Sequence, residues 1–109
     1  MAFSETLAQR VRDALYPLTA VEEKKMFGGV AFMVSGNMAV GVIRDDLIAR
    51  VGLENYQAAL GRPGADLFKP TQRTALGWVT VAPGGLKTDK DLKYWIELAL
   101  KFVRTLPAK

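Results

Sequence analysis

The stretch from Gly29 to Val51, GVAFMVSGNMAVGVIRDDLIARV, constrains the fold more than any other part of the chain. Val30, Phe32 and Val34 alternate with Ala31 and Met33, the period of a strand that turns one face to a core. Ser35-Gly36-Asn37 interrupts this run with turn-forming residues, and Met38 to Ile43 resumes it. Folding about Gly36 sets Val34 opposite Met38 and Phe32 opposite Val40. Asp45-Asp46 marks a second reversal before Leu47-Ile48-Ala49-Arg50-Val51, because aspartate side chains bond the local backbone of a turn. Two tight turns so close together give three consecutive strands in an antiparallel meander.

Helical periodicity flanks this meander. Phe3, Leu7, Val11, Ala14, Leu15 and Leu18 recur at three- and four-residue steps, giving one apolar stripe. Ser4 supplies an N-cap, Glu5 an acid for the first turn, and Pro17 stops the helix near Tyr16. Gly52 to Leu60 has the composition of a short helix, ended by Gly61 and Pro63-Gly64. Asp66 to Lys69 reads as a short edge strand ended by Pro70, and Thr74 to Ala82 as a longer strand before Pro83-Gly84-Gly85. Thr88 or Asp89 caps a last helix running from Lys90 to Leu106. Its core stripe is Leu92, Trp95 or Ile96, Ala99, Val103 and Leu106. The chain of 109 residues is thus expected to be one domain, 1–109, of the α+β class. Its element order is α-β-β-β-α-β-β-α around an antiparallel sheet.

Composition narrows the chemistry. There is no cysteine, which removes disulfides and thiolate catalysis, and no histidine, the usual general base and a common zinc ligand. An enzyme built on this chain would depend on Asp, Glu, Lys, Tyr or a cofactor, and no catalytic constellation or cofactor motif is present. The N-terminus becomes charged too early for a signal peptide, and no apolar run reaches spanning length. A cytoplasmic protein without a membrane partner is the expectation. The net charge of +4 is mild and compatible with acidic partners.

Gly28-Gly29 opens a strand with no helix behind it and no Gly-Lys-Ser/Thr, so it reads as a close backbone crossing and not as a phosphate loop. Arg44 and Arg50, beside the aspartate turn, read as solubilising charges. On the last helix Lys90, Lys93, Glu97, Lys101 and Arg104 share one side, with Lys87 and Lys109 flanking it. Glu97 is spaced to pair with Lys93 and Lys101. This side reads as ion-paired and solvated, with tracking of nucleic-acid phosphates as the alternative. Tyr94, Leu98 and Phe102 form a second apolar line, either buried or half of a dimer seam. Trp78 reads as a core or cross-strand residue.

Several of these stretches occur together, in order, in one family. KKMFGGVAFMVSGNMAVGVIRDDLIARVG, ALGRPGADLF, GWVTVAP and WIELALKFVRTLPAK resemble the TfoX/Sxy N-terminal domain family from Glu22 to Lys109. The family's fold signature falls on Met26, Phe27, Gly28 and Gly29, on Arg62-Pro63-Gly64, and on Gly77-Trp78. The resemblance implies a secretion-chaperone-like α+β fold. It also implies a role related to competence and transcription co-regulation, in which two-domain relatives work with a cyclic-AMP receptor protein. The chain stops at LPAK, so it is similar to the N-terminal domain standing alone. The resemblance transfers no catalytic residue and no cofactor. It implies action by binding another protein, such as a transcription regulator or a second copy. Lys93, Tyr94, Leu98, Lys101, Phe102 and Arg104 are the candidate surface.

Overall fold

Ser4 caps the first helix, α1 (Glu5–Leu15), by accepting a hydrogen bond from the Leu7 N–H at 3.1 Å. The helix ends at Tyr16, where Pro17 prevents another turn. Its buried arc is centred on Val11 and Leu15 and takes in Leu7 and Ala8. Ala14, expected in the stripe, lies beyond the edge of that arc and is exposed. The coordinates are a computed structural model that describes residues 3–26 and 28–108.

Among the described residues six strands form one antiparallel sheet: β1 (Val21–Met26), β2 (Gly29–Val34), β3 (Asn37–Ile43), β4 (Asp46–Arg50), β5 (Ala65–Leu67) and β6 (Trp78–Val81). Their spatial order is β1-β2-β3-β4-β6-β5. The expected meander is β2-β3-β4. The strand β1 is additional: its sequence, VEEKKM, has no apolar alternation, and pairing with β2 along its whole length makes it a strand.

Phe32 faces Val40 as expected, but Val34 pairs with Asn37 and not with Met38. The turn is only Ser35-Gly36, both at positive φ (51° and 84°), a combination that matches the twist of the flanking strands. A bulge between Phe32 and Met33 then absorbs one extra residue, Ala39, and restores the Phe32–Val40 pair. At the second reversal Ile43 pairs with Asp46, so Arg44-Asp45 make the turn and Asp46 already belongs to β4.

Only the second half of the next expected helix forms, as α2 (Tyr56–Leu60). The strand expected over Thr74 to Ala82 shrinks to β6, because the Gly77 carbonyl turns away to accept the N–H groups of Val51 (2.8 Å) and Gly52 (3.0 Å). After a 3-10 turn over Pro83–Gly85 comes α3 (Asp89–Val103). A reciprocal cap starts it: Asp91 N–H donates to the Thr88 hydroxyl at 3.0 Å, and Thr88 N–H donates to the Asp91 carboxylate at 3.4 Å. Trp95 and Ile96 are both buried, whereas Leu106 is half-buried.

All three helices lie against one face of the sheet. There Val30, Phe32, Val40, Val42, Leu47, Ala49, Val79 and Val81 meet Val11, Leu15, Trp95 and Ala99 in a single core. α1 and α3 pack on each other and on β3, α3 also on β4, and α2 on β5 and β6. Arg12 ties α1 to β1 through two hydrogen bonds to the Glu23 carboxylate, at 2.6 and 2.9 Å. These bonds hold the Glu23 pKa below its ordinary value, against the opposing effect of burial. The alternate side chains of the strands, among them Met33, Met38, Ile43, Ile48, Arg50 and Trp78, form the opposite face.

Candidate functional site

Pairing of β4 with β6 sets Arg50 directly opposite Trp78. The Arg50 guanidinium lies 5.1 Å from the Trp78 ring centroid and 5.5 Å from that of Phe102. Phe68 supports Trp78 with ring centroids 6.3 Å apart. Phe102 reaches this position because Gly52 has no side chain; a Cβ there would overlap its ring. Arg50 is therefore more than the solubilising charge expected of it, since stacking between two rings fixes a guanidinium and removes much of its rotamer freedom. Among the described residues no carboxylate comes within ion-pair distance of Arg50.

Two leucines frame this stack. Leu53 and Leu76 are 69% and 67% exposed, and together with Arg50, Trp78 and Phe102 they line one shallow cleft of about 100 Å³. The shared Gly77 carbonyl ties their two loops together through Val51 and Gly52. The backbone thus presents both side chains at fixed positions. Tryptophan, phenylalanine and arginine are residue types enriched at protein interfaces, tryptophan and arginine among their hot spots, and here two exposed leucines extend that cluster with apolar surface. No sequence pattern signals it, because Leu53, Leu76 and Phe102 converge only through long-range pairing.

The structure divides the six residues expected as a surface on the last helix. Lys93, Lys101 and Arg104 are exposed, but Glu97 pairs with neither lysine; among the described residues the ion pairs are Arg10–Asp89, Arg12–Glu23 and Lys24–Glu22. Tyr94 is half-buried beneath the Arg62 guanidinium, 3.8 Å from its ring centroid, and meets Trp95 edge-on at 5.2 Å. Leu98 packs half-buried on the core. Of the apolar line, Phe102 alone belongs to the Arg50 cluster. Gly29 heads β2, paired with Met26, and Gly28 lies in the connection before it. Phe27, the Met26 side chain and Lys109 lie outside the described residues. The Arg62-Pro63-Gly64 turn crosses the 3-10 turn backbone to backbone, with the Ala82 N–H donating to the Gly64 carbonyl at 2.8 Å.

A second cleft, about 440 Å³, opens on the sheet face away from the helices, between Ile43, Ile48 and Thr80 below and Phe68 and Pro70 at its side. Asp46 lies in it. Burial raises its pKa, the neighbouring Asp45 adds to the rise, and Arg44 opposes it. A carboxyl whose folded pKa is raised loses stability as pH climbs from its unfolded value through its folded one. Asp46→Asn is therefore expected to raise the melting temperature at pH 7, with the gain fading below about pH 4. Thermal melts at the two pH values measure this directly. Among the described residues no three Asp or Glu side chains gather to hold a metal, and no helix is long and apolar enough to cross a membrane.

The family model of the TfoX N-terminal domain matches residues 13–103, which include both clefts and the whole sheet. No curated protein and no solved structure matches the chain.

Proposed function

This chain belongs to the TfoX N-terminal domain family, and from that premise we propose that it works without catalysis, as a module that binds another protein through the Arg50 cluster. The observation that carries this reading is the pair of exposed leucines held beside a stacked arginine that has no ion-pair partner among the described residues. Such a surface fits a folded partner that offers an apolar patch with a carboxylate at its edge, since arginine recognises carboxylates through paired donors. The process we assign is co-regulation of transcription, the role that the family resemblance implies, with a transcription regulator as partner. The cytoplasm is the compartment in which that partner works.

Leu53→Asp and Leu76→Asp test the proposal, because both side chains are solvated and their replacement leaves the core intact. A protein captured by the wild type from its own cell extract, then purified and titrated, is expected to bind either variant at least about thirtyfold more weakly. Equal affinity for the variants, or capture of chaperones alone, would overturn it. The second reading is nucleic-acid binding along α3, favoured by the lack of an ion pair between Glu97 and its flanking lysines. Titration of duplex DNA at two salt concentrations separates the two. Phosphate tracking weakens steeply with salt and is lost on reversing Lys93, Lys101 and Arg104.

A further inference from the structure

The strand β1 is an edge: among the described residues it pairs with β2 on one side and with no strand on the other. Regular edge strands template the addition of another strand, and proteins usually blunt them with proline, a bulge or charge. β1 has neither proline nor bulge, and its charges are of both signs: Glu22, Glu23, Lys24, Lys25.

That order is self-complementary. When two antiparallel copies meet about a two-fold axis perpendicular to the sheet, facing residues project on the same side. Centred on Glu23, the pairing sets Glu22 opposite Lys24 of the second copy, and Lys24 opposite its Glu22. On the helix side the two Glu23 residues meet, each already held by its own Arg12 at 2.6 Å, with Lys25 of the other copy diagonal to it. Centred on Lys24 instead, the pairing also makes two opposite-charge contacts, Glu23 with Lys25, but at its centre two lysines meet whose own contact to Glu22 is long, 3.9 Å. Each central Glu23 of the first register is neutralised by Arg12, and that difference favours the register centred on Glu23.

A second observation lies on the same edge. The helical layer is centred on β3 and β4, and a cleft of about 270 Å³ remains between the end of α1 and β1. Leu15, Leu18, Val21 and Phe32 wall it, and Tyr16 at its rim is 85% exposed. A copy added across β1 brings its own Tyr16 and cleft to the same side of the seam, adding apolar burial to strand pairing.

We propose that the chain forms a two-fold dimer by antiparallel pairing of β1 with β1 of a second copy, in the register centred on Glu23. This inference uses a different surface from the Arg50 cluster and stands independently of it. Sedimentation equilibrium over a dilution series is expected to show twice the 11.9 kDa chain mass. Lys24→Glu turns two opposite-charge pairs into like-charge pairs and should raise the dimer Kd about thirtyfold. Glu22→Lys should do the same, and Glu22→Lys with Lys24→Glu should restore wild-type association. Circular dichroism confirms that each variant is folded, as expected for exposed side chains. A wild type that stays monomeric at roughly 100 µM, single reversals without effect, or a double variant that fails to recover would each overturn the proposal.

Discussion

Gly29→Ala is expected to destabilise the protein by about 3 kcal/mol, a large share of the stability of a domain this size. A Cβ at this position would overlap the Val42 carbonyl and lie 2.9 Å from Cγ1 of Ile43. Neither neighbour can yield cheaply, because Val42 pairs with Val30 on one side and with Leu47 on the other. Chemical denaturation should show the loss as a lower midpoint with little change in slope. A midpoint equal to the wild type would mean that β2 and β3 do not approach this closely. Of the paired glycine in MFGG, Gly29 is thus explained by packing at the start of a strand, and Gly28 by its positive φ of 73°.

The second large effect is at Trp95. It is the largest side chain in the core, 2% exposed, and bridges the sheet to the Tyr94–Arg62 stack. Trp95→Ala should cost about 4 kcal/mol, the range for an aromatic ring removed from a packed interior. The melting temperature should fall by roughly 15 °C or more. Trp95→Phe keeps much of the volume and should fall less; equal losses would show that the indole has a role beyond filling space.

The helices were legible because α1 and α3 are amphipathic and carry Ser4 and Thr88 as caps, both local signals. The meander was legible because its turn residues interrupt a period of two. Register was less so: a two-residue turn with a bulge and a three-residue turn without one both bring Phe32 to Val40, and only the backbone distinguishes them. β1 escaped because Glu-Glu-Lys-Lys has no hydrophobic rhythm, and its strand character comes from its neighbour. Thr74 to Gly77 reads as strand by composition, yet the Gly77 carbonyl is committed to a loop. The Arg50 cluster unites residues from four separate segments, and no spacing in the sequence relates Arg50 to Leu76 or Phe102. Tyr94 and Phe102 sit two turns apart on one helix stripe, but different arginines cover them.

The two proposed surfaces lie at different parts of the sheet, one on its β1 edge and one at the ends of β4 and β6. A dimer formed through β1 would present two Arg50 clusters, and a partner with two matching sites would gain affinity from simultaneous engagement.

The order in which the core is completed has a consequence during synthesis. The apolar side of β2, β3 and β4 is finished by residue 50, but much of its cover is α3, which ends at Val103. A chain emerging from the ribosome therefore carries, for half its length, an apolar sheet face with only α1 to cover part of it. Truncation anywhere before α3 should yield a species that aggregates or is held by chaperones.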